Sequence, residues 1–481
     1  MHDHAGRALE ASATNLEEIS ERLSMHFFHA GDYERAWTYS RMAGRRAQSQ
    51  YAYTAAIEFF ERAIESGRAS GAAHTELAEV LEALGDVCDI AGFSHDAVVA
   101  YRRARPYRRD DPVGRAALML KEAGLHQRLS EFVTSLRLLT HARGVLRDSG
   151  GALADSIRSR LATRYGFGKY LQGAHASAVR WSEVGVREAR LSGDRDALAY
   201  AYNTRHLACI HAGVGEEEAY GELALAVYED LGDLRMQAHC LNNLAISAMH
   251  DGQWDRSADL LDRAAGIFRR VGDTANEANA QYNRADLLIR QQRFAQAEPL
   301  LVAALRAAQA ADDRELVALA MRESGRVRAG LGHPDDALAR FDAARAGFTE
   351  LGLAQELVSL DEATAECLVE AGDVDRAIEL ASAALARAHE LHVESALASL
   401  HRVRGSALGA AGRYADARAA FEAGLHSPDG SDGRREYALN LLGIAELAAR
   451  EDHPDAARLM SEGRQILDGL GVLMPSVLVP T

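Results

Sequence analysis

Three short clusters carry side chains suited to catalysis or ligation, and their spacing decides against each. Gly166-Phe167-Gly168-Lys169-Tyr170 holds a Gly-Lys pair of the sort that cradles phosphate. A phosphate loop needs a further glycine upstream at fixed spacing, and a serine or threonine after the lysine. Neither is present, so these glycines are expected at the end of a helix, serving packing and a turn. His389-Glu390-Leu391-His392 sets two imidazoles three residues apart. The zinc-protease motif sets them four apart on one helical face. No third ligand is apparent, and histidines near a helix C-terminus complement its dipole. His26 and His29 have the same spacing and the same reading. Ser94-His95-Asp96 has the residue types of a hydrolase triad, but adjacent residues cannot orient one another as a triad must. No G-x-S-x-G elbow occurs. This cluster reads as a helix start with Ser94 as the N-cap. Cys88, Cys209, Cys240 and Cys367 stand singly, without a C-x-x-C pair, which excludes a zinc knuckle and a dithiol motif. Four buried, reduced thiols are expected. The residues thus predict no catalytic centre, no cofactor and no metal.

Composition narrows the partners. The chain of 481 residues carries 54 basic and 70 acidic side chains, a formal net charge of −16. Such a surface repels phosphate backbones, which argues against direct nucleic-acid binding. No apolar run approaches the ~20 residues of a membrane span, and no apolar signal segment opens the chain. A soluble, cytoplasmic protein is expected. Aromatics are only 6%, so the core must be built of small and aliphatic side chains. The 8 prolines leave room for long uninterrupted helices.

The scaffold under these residues is a repeat. One phrase recurs: a glycine, any residue, an apolar residue, two more, then a small one. It reads GDYERA at 31–36, GQWDRS at 252–257, GHPDDA at 332–337, GDVDRA at 372–377 and GRYADA at 412–417. Weaker copies are SEFVTS at 130–135, GAHASA at 173–178, QRFAQA at 292–297 and DHPDAA at 452–457. The closing small residues form a ruler. They are Ala36, Ala56, Ala97, Ser135, Ala178, Ala219, Ser257, Ala297, Ala337, Ala377, Ala417 and Ala457. The last five intervals are all 40 residues and the first is 20. Twelve residues before the ruler lies a second small position (Ala245, Ala285, Gly325, Ala365, Gly405, Ala445). Seven after it lies a third (Ala63, Ala104, Ala142, Ala226, Ala264, Ala304, Ala344, Ala384). Four after it a large residue is common: Phe60, Tyr101, Leu139, Leu223, Leu261, Leu301, Phe341, Phe421. Two antiparallel helices pack closely only where the crossing side chain is small. The residue four later fills the space beside the crossing. Glycine ahead of the second helix ends the first in a left-handed turn. The period therefore predicts two helices of about 16–18 residues and two short turns.

This small–small–small pattern with its large companion resembles the tetratricopeptide repeat. The resemblance implies an all-α, right-handed superhelical solenoid of antiparallel helix pairs, with about 11–12 repeats. The family's usual spacing is 34 residues with a proline near the end, and this chain uses 40 without it. The long form, with the linker Leu231-Gly232-Asp233 followed by Leu241-Asn242-Asn243-Leu244-Ala245, is similar to repeats in bacterial STAND-type ATPase regulators. Those include maltose-regulator-like (LuxR-type) activators and cyclase-fused ATPases. The segment Leu16–Glu65 resembles the joint between an NTPase module and its repeats, and one helix at about 33–48 is expected to close one pair and open the next. That resemblance implies an upstream module. The expected division is 1–70 for N-terminal helices and junction, 71–470 for the solenoid, and 471–481 for a tail. The polar residues 1–14 are expected to cap the stack poorly. The apolar tail from Val472 to Pro480 is expected to fold over the last helix. Two interruptions are expected as solvated turns, the basic run 102–112 and the loop 427–433.

The first helix of each pair should line the concave groove. Positions three before and one after the second small residue then face it. They are Asn242 and Ile246, Tyr282 and Asp286, Arg322 and Arg326, Glu362 and Glu366, and Arg402 and Ser406, flanked by Asn243 and Asn283. Two arginines on one helix and two glutamates on the next are expected to pair as surface salt bridges, each contributing about 0–1 kcal/mol. The asparagines can both donate to and accept from a peptide backbone. The patch Asn242, Asn243, Tyr282, Asn283, Asp286, Arg322, Arg326, Glu362, Glu366 and Arg402 is therefore the expected binding face. The expected partner is a protein or peptide, an upstream NTPase module or a small effector. The function implied is a non-catalytic scaffold, either the sensor arm of a signalling ATPase or transcription regulator, or a stand-alone peptide receptor or adaptor.

Overall fold

The computed structural model describes residues 1–212, 214, 217–427 and 433–473. Among the described residues there are 24 α-helices, two short 3-10 helices and no strand. The chain forms two compact units, Met1–Val227 and Tyr228–Thr481. Unit 1 contains α1 (His2–Ser12), α2 (Ser20–Ala30), α3 (Tyr33–Ser49), α4 (Tyr53–Ser70), α5 (His74–Ile90) and α6 (Ser94–Ala104). It continues through α7 (Pro112–Arg128), α8 (Phe132–Val145), α9 (Ala152–Leu171), α10 (His175–Ser192) and α11 (Arg195–Ala212). The boundary falls within α12 (Glu217–Leu231). Unit 2 contains α13 (Leu234–His250), α14 (Trp254–Val271), α15 (Thr274–Arg290), α16 (Phe294–Ala310), α17 (Arg314–Gly330) and α18 (Pro334–Leu351). It continues through α19 (Ala354–Glu370), α20 (Val374–Glu390), α21 (Leu397–Ala410), α22 (Tyr414–Leu425), α23 (Gly433–Arg450) and α24 (Ala456–Gly469). Each unit is a stack of antiparallel helix pairs, a helical solenoid.

The helix ends follow the sequence signals. Asp32, Asp111, Asp233, Asp273 and Asp313 each accept a backbone N–H three residues on, satisfying one orphan donor of a helix start. The first helix of a pair stops where the chain turns left-handed, at Gly252, Gly332, Gly372 and Gly412 (φ 72, 83, 80 and 74°). In the weaker copies the same turn is kept by Ser130, Gln292 and Asp452, with φ of 59, 61 and 54°. The turn is thus imposed by packing even where the residue resists it.

Volume is matched across each pair. Where the large position is aromatic, the residue sixteen before it is glycine. A Cβ on Gly44, Gly85, Gly325 or Gly405 would stand 2.6, 2.6, 2.4 or 2.8 Å from Cδ1 or Cε1 of Phe60, Tyr101, Phe341 or Phe421, with Tyr101 Cε1 nearer still at 2.4 Å from that of Gly85. Where it is leucine, alanine suffices: Ala123 with Leu139, Ala245 with Leu261, Ala285 with Leu301, all buried. At the ruler position Ser135 and Ser257 donate their hydroxyls to the Ala123 and Ala245 carbonyls at 2.9 and 2.8 Å. A polar atom at a helix crossing is thereby satisfied.

Four expectations of register and capping need correction. Ala219 is exposed, as are Leu223 and Ala226. The buried residues of α12 are Gly221, Ala224, Leu225 and Tyr228, so the repeat there is in register two residues earlier. Ala457 is also exposed, and Gly463 and Leu467 are buried, which moves the last repeat back by one. Ser94 is the first helical residue of α6, Phe93 precedes it at the cap, and no side chain caps this helix. Residues 2–12 form a helix, with Gly6 buried under the Phe27 ring, so the polar start does cover α2. The helix α3 packs on both α2 and α4, as expected of a shared element.

In unit 2 the last pair returns to the first. Leu467, Leu470 and Val472 join one apolar cluster with Met249, Trp254 and Leu287. Gln291 accepts the Leu473 N–H at 3.1 Å and donates its side-chain amide to the Leu470 carbonyl at 3.4 Å. Arg435 donates Nε to the Arg290 carbonyl at 3.2 Å. The start of the tail therefore packs on α13–α15 as well as on the last helix. Residues 474–481, and 428–432 of the expected loop, lie outside the described residues.

Candidate functional site

The clusters set aside at the outset are structural. Gly166 and Gly168 lie inside α9, where a Cβ on Gly166 would stand 3.1 Å from the Ser182 nitrogen and one on Gly168 2.6 Å from the Gln127 amide. The turn itself is made by Gly173. His389 ends α20 while His392 sits beyond it at φ 55°, so the two do not share a helical face. His26 Nδ1 lies 3.1 Å from His2 Nδ1, a hydrogen-bonded pair at the surface. Among the described residues no group of three or more His, Cys, Asp or Glu side chains is placed to hold a metal. All four cysteines are buried and none is in a disulfide. Burial pushes the Cys88 and Cys367 thiols up to about 11 and that of Cys240 up to about 12, the opposite of a reactive thiolate. The basic run 102–112 forms a 3-10 turn at Arg105–Arg108. Four of its five arginines reach carboxylates elsewhere in the packing or the turn, Arg102 and Arg105 at Glu122, Arg103 at Glu61, and Arg108 at Glu82 and Asp111, while Arg109 is exposed beside Asp110.

The first-type helices of unit 2 present the expected patch, and it is a connected ladder. Asn283 of α15 donates to the Asn242 side-chain carbonyl of α13 at 3.0 Å. Arg322 of α17 donates to the Tyr282 hydroxyl of α15 at 3.4 Å. Arg326 of α17 donates to Glu362 of α19 at 2.7 Å. Arg402 of α21 donates to Glu366 of α19 at 2.7 Å and to Glu436 of α23 at 2.8 Å. Asp286 pairs with Arg290 one turn on, at 3.0 Å. Asn243 lies half-buried beside Asn242 on α13.

Two features differ from the sequence expectation. The ion pairs are not on the surface: Arg322, Glu362 and Arg402 are 9%, 7% and 3% exposed. And Arg322 does not face Glu362. It pairs with its neighbour Glu323 at 2.7 Å and with Glu356 at 2.5 Å. The ion pairs between helices of the ladder lie 34 or 36 residues apart, while the Arg322–Tyr282 and Asn283–Asn242 contacts lie 40 and 41 apart. Each guanidinium thus meets a carboxylate four or six residues away from its repeat equivalent on the neighbouring first helix. Glu356 and Glu436 were missed for this reason, and reading offsets of 34–36 along the 40-residue frame finds them; Glu323, Arg290 and Arg435 were missed because they flank the chosen face positions on the same helices.

The electrostatics are those of firmly held charges. Burial opposes the charge on Arg402, but Glu366, Glu436 and Glu362 outweigh it and raise its pKa. Arg322 is raised in the same way, with Glu323 its strongest charged neighbour. Burial pushes Glu366 up, yet Arg402, Arg326 and Arg435 hold it at about 2. Burial likewise works against Glu323, and Arg322 and Arg326 hold its carboxyl below the usual range. Burying ions costs several kcal/mol each, repaid only by good geometry, so such a ladder is weak evidence for stability by itself.

Comparison with known proteins bears on the fold. Tetratricopeptide-repeat family models match residues 236–310, 276–350 and 322–391. Residues 236–391 are tetratricopeptide repeats. No curated protein sequence matches the chain. Among solved structures, a Rap protein complexed with Competence and Sporulation Factor is 18% identical with a TM-score of 0.57. The match covers 74% of this chain and 99% of that one. Aspartyl phosphate phosphatase F from Bacillus subtilis is 14% identical, with 75% and 97% covered and a TM-score of 0.48. A STAND protein with a tetratricopeptide repeat sensor from Pyrococcus horikoshii is 14% identical, with 72% and 55% covered and a TM-score of 0.46. At these identities the likeness is one of fold. Among the described residues no helix is long and apolar enough to cross a membrane.

Proposed function

We propose that this chain is a non-catalytic binding scaffold whose first-helix face in unit 2 takes a protein or peptide partner. The observation that carries the reading is the ladder from Asn242 to Glu436, which links polar side chains of the six first-type helices α13, α15, α17, α19, α21 and α23. The half-buried Asn242, Asn243 and Asn283 at its start supply amides that can donate to and accept from a backbone. The similar Rap structure, complexed with Competence and Sporulation Factor, is consistent with this reading. The test is selection of a random displayed peptide library against the full chain, repeated with Asn242→Ala/Asn283→Ala. Peptides that bind the parent and lose at least tenfold in affinity on the double variant support the face. Equal binding to both places the partner elsewhere and refutes it.

The finer reading is that the scaffold is the sensor arm of a signalling ATPase or transcription regulator. It rests on the resemblance of Leu16–Glu65 and of the Leu231-Gly232-Asp233 linker to such proteins. The alternative is a stand-alone peptide receptor or adaptor. Reading the DNA upstream of Met1, with an immunoblot of the native species, separates them. An open frame continuing into a phosphate loop supports the arm, and a native mass near 52.1 kDa supports the receptor.

A further inference from the structure

Five first-type helices of unit 2 converge on a cavity of about 180 Å³. It exists because the start of α21 is thin. There the chain runs as a 3-10 turn, Glu394–Ala396, and the wall is Ser395, Ala396 and Ser399. The opposite walls bear long charged side chains. The cations are Arg290, Arg322, Arg326 and Arg435. The anions are Asp286, Glu323, Glu362 and Glu436. Four of each sign leave the lining neutral and mostly polar, with Ile289 and Ala396 its apolar members.

We propose that this cavity binds a small zwitterion of the α-amino-acid class, with its carboxylate on Arg326 and its ammonium at Glu362 and Ser399. The inference rests on the first-helix face being the binding face of unit 2. Arg326 makes one short hydrogen bond, Nη2 to Glu362 at 2.7 Å. Its Nε and Nη1 lie 3.6 and 3.7 Å from Glu323 and Glu366 oxygens, too far for hydrogen bonds. Nε and Nη1 lie on opposite edges of the guanidinium, so whichever edge Glu362 takes at Nη2, the other edge keeps two donors for a carboxylate. The other Glu362 oxygen is 3.7 Å from Arg402, again beyond hydrogen bonding. Ser399 donates its hydroxyl to the Ala396 carbonyl at 3.1 Å and keeps its lone pairs for an N–H donor. A ligand of one net charge would leave a charge unmatched in a neutral lining, and an apolar ligand would leave polar groups unpaired. The volume is that of about six waters at ~30 Å³ each, which suits glycine, alanine or serine better than an aromatic amino acid.

The experiment is thermal unfolding of the full chain with glycine, alanine, serine and tryptophan, and with acetate, methylammonium and glycerol as controls. A saturable rise in Tm with at least one small amino acid is expected, about 3–5 °C at one hundred times Kd. Tryptophan, the half-ligands and glycerol should give none. The rise should vanish in Ser399→Leu, which fills the cavity, and in Arg326→Gln. Calorimetric titration at 20 °C reads the same loss in any variant that keeps its far-UV circular dichroism. If Arg326→Gln does not fold, Ser399→Leu and Ser359→Leu decide, Ser359 lining the cavity from α19. No saturable shift from any small amino acid overturns the proposal. So does an equal shift with glycerol, or a shift that survives filling of the cavity. Library peptides that still bind in those cases leave the scaffold reading standing, so the two failures are distinct.

Discussion

Replacing Gly325 by alanine tests whether the repeats are held by matched volumes rather than by helix propensity. In an isolated helix the change stabilises by about 1 kcal/mol. Here the new Cβ would stand 2.4 Å from Cε1 of Phe341, more than 1 Å inside ordinary contact. Phe341 is 1% exposed and has no room to swing aside. Overpacking of this severity costs about 3 kcal/mol, so the variant should lose about 2 kcal/mol net. Phe341→Leu alone should lose about 1–2 kcal/mol through the smaller side chain. The double variant recreates the alanine–leucine match of Ala285 with Leu301. It should therefore be no worse than Phe341→Leu, a coupling of about 2–3 kcal/mol against the sum of the singles. Urea unfolding followed by circular dichroism measures this, with hydrogen exchange in α17 and α18 as the local readout. Additive losses, or a Gly325→Ala variant more stable than the parent, would refute the argument.

Three further outcomes are expected. Arg402→Met leaves Glu366 and Glu436 facing each other without their shared guanidinium and should cost about 3–5 kcal/mol in urea unfolding. Glu366, held at about 2 in the folded chain, titrates below its unfolded value. Its contribution is complete above the ordinary glutamate range and is lost as pH falls through about 2. In Arg402→Met the folded carboxyl moves back toward its unfolded value, so the stability lost between the ordinary glutamate range and about pH 2 should shrink, and urea midpoints across acid pH measure it; an unchanged profile contradicts the assignment. Ser130→Gly removes a non-glycine residue from φ 59° at an exposed turn and should stabilise by about 0.5–1 kcal/mol, read as a higher urea midpoint at constant m. Leu470→Ala should cost about 2–4 kcal/mol and raise hydrogen exchange at the α13–α14 and α15–α16 turns, because Leu470 packs with Met249, Trp254 and Leu287. Exchange unchanged at those turns would show that the returning end does not hold them.

The repeat itself was legible in the residues. Ala36, Ala97, Ser257, Ala337 and Ala377 recur as small residues because a helix crossing admits nothing larger, and all are buried where expected. The asparagines, Tyr282 and the arginine–glutamate alternation were legible as a face, because residues four apart on a helix share one. Such local rules act within a turn or two of chain, so the sequence alone reports them. They failed at Ala219 and Ala457, where a small residue beside the true crossing imitates the signal in an alanine-rich helix.

Distances between repeats were decided only by tertiary packing. The pairing across neighbouring first helices, which couples Arg322 to Glu356 and Arg402 to Glu436, depends on how successive pairs are rotated, and no local signal encodes that rotation. Burial of the ladder, the return of Leu470 and Val472 to Trp254, and the cavity beside Ser399 likewise come from chain segments up to 179 residues apart. Small residues at fixed intervals specify that helices pair. How six pairs close around a charged interior is the sum of many small rotations, and it exists only in the folded stack.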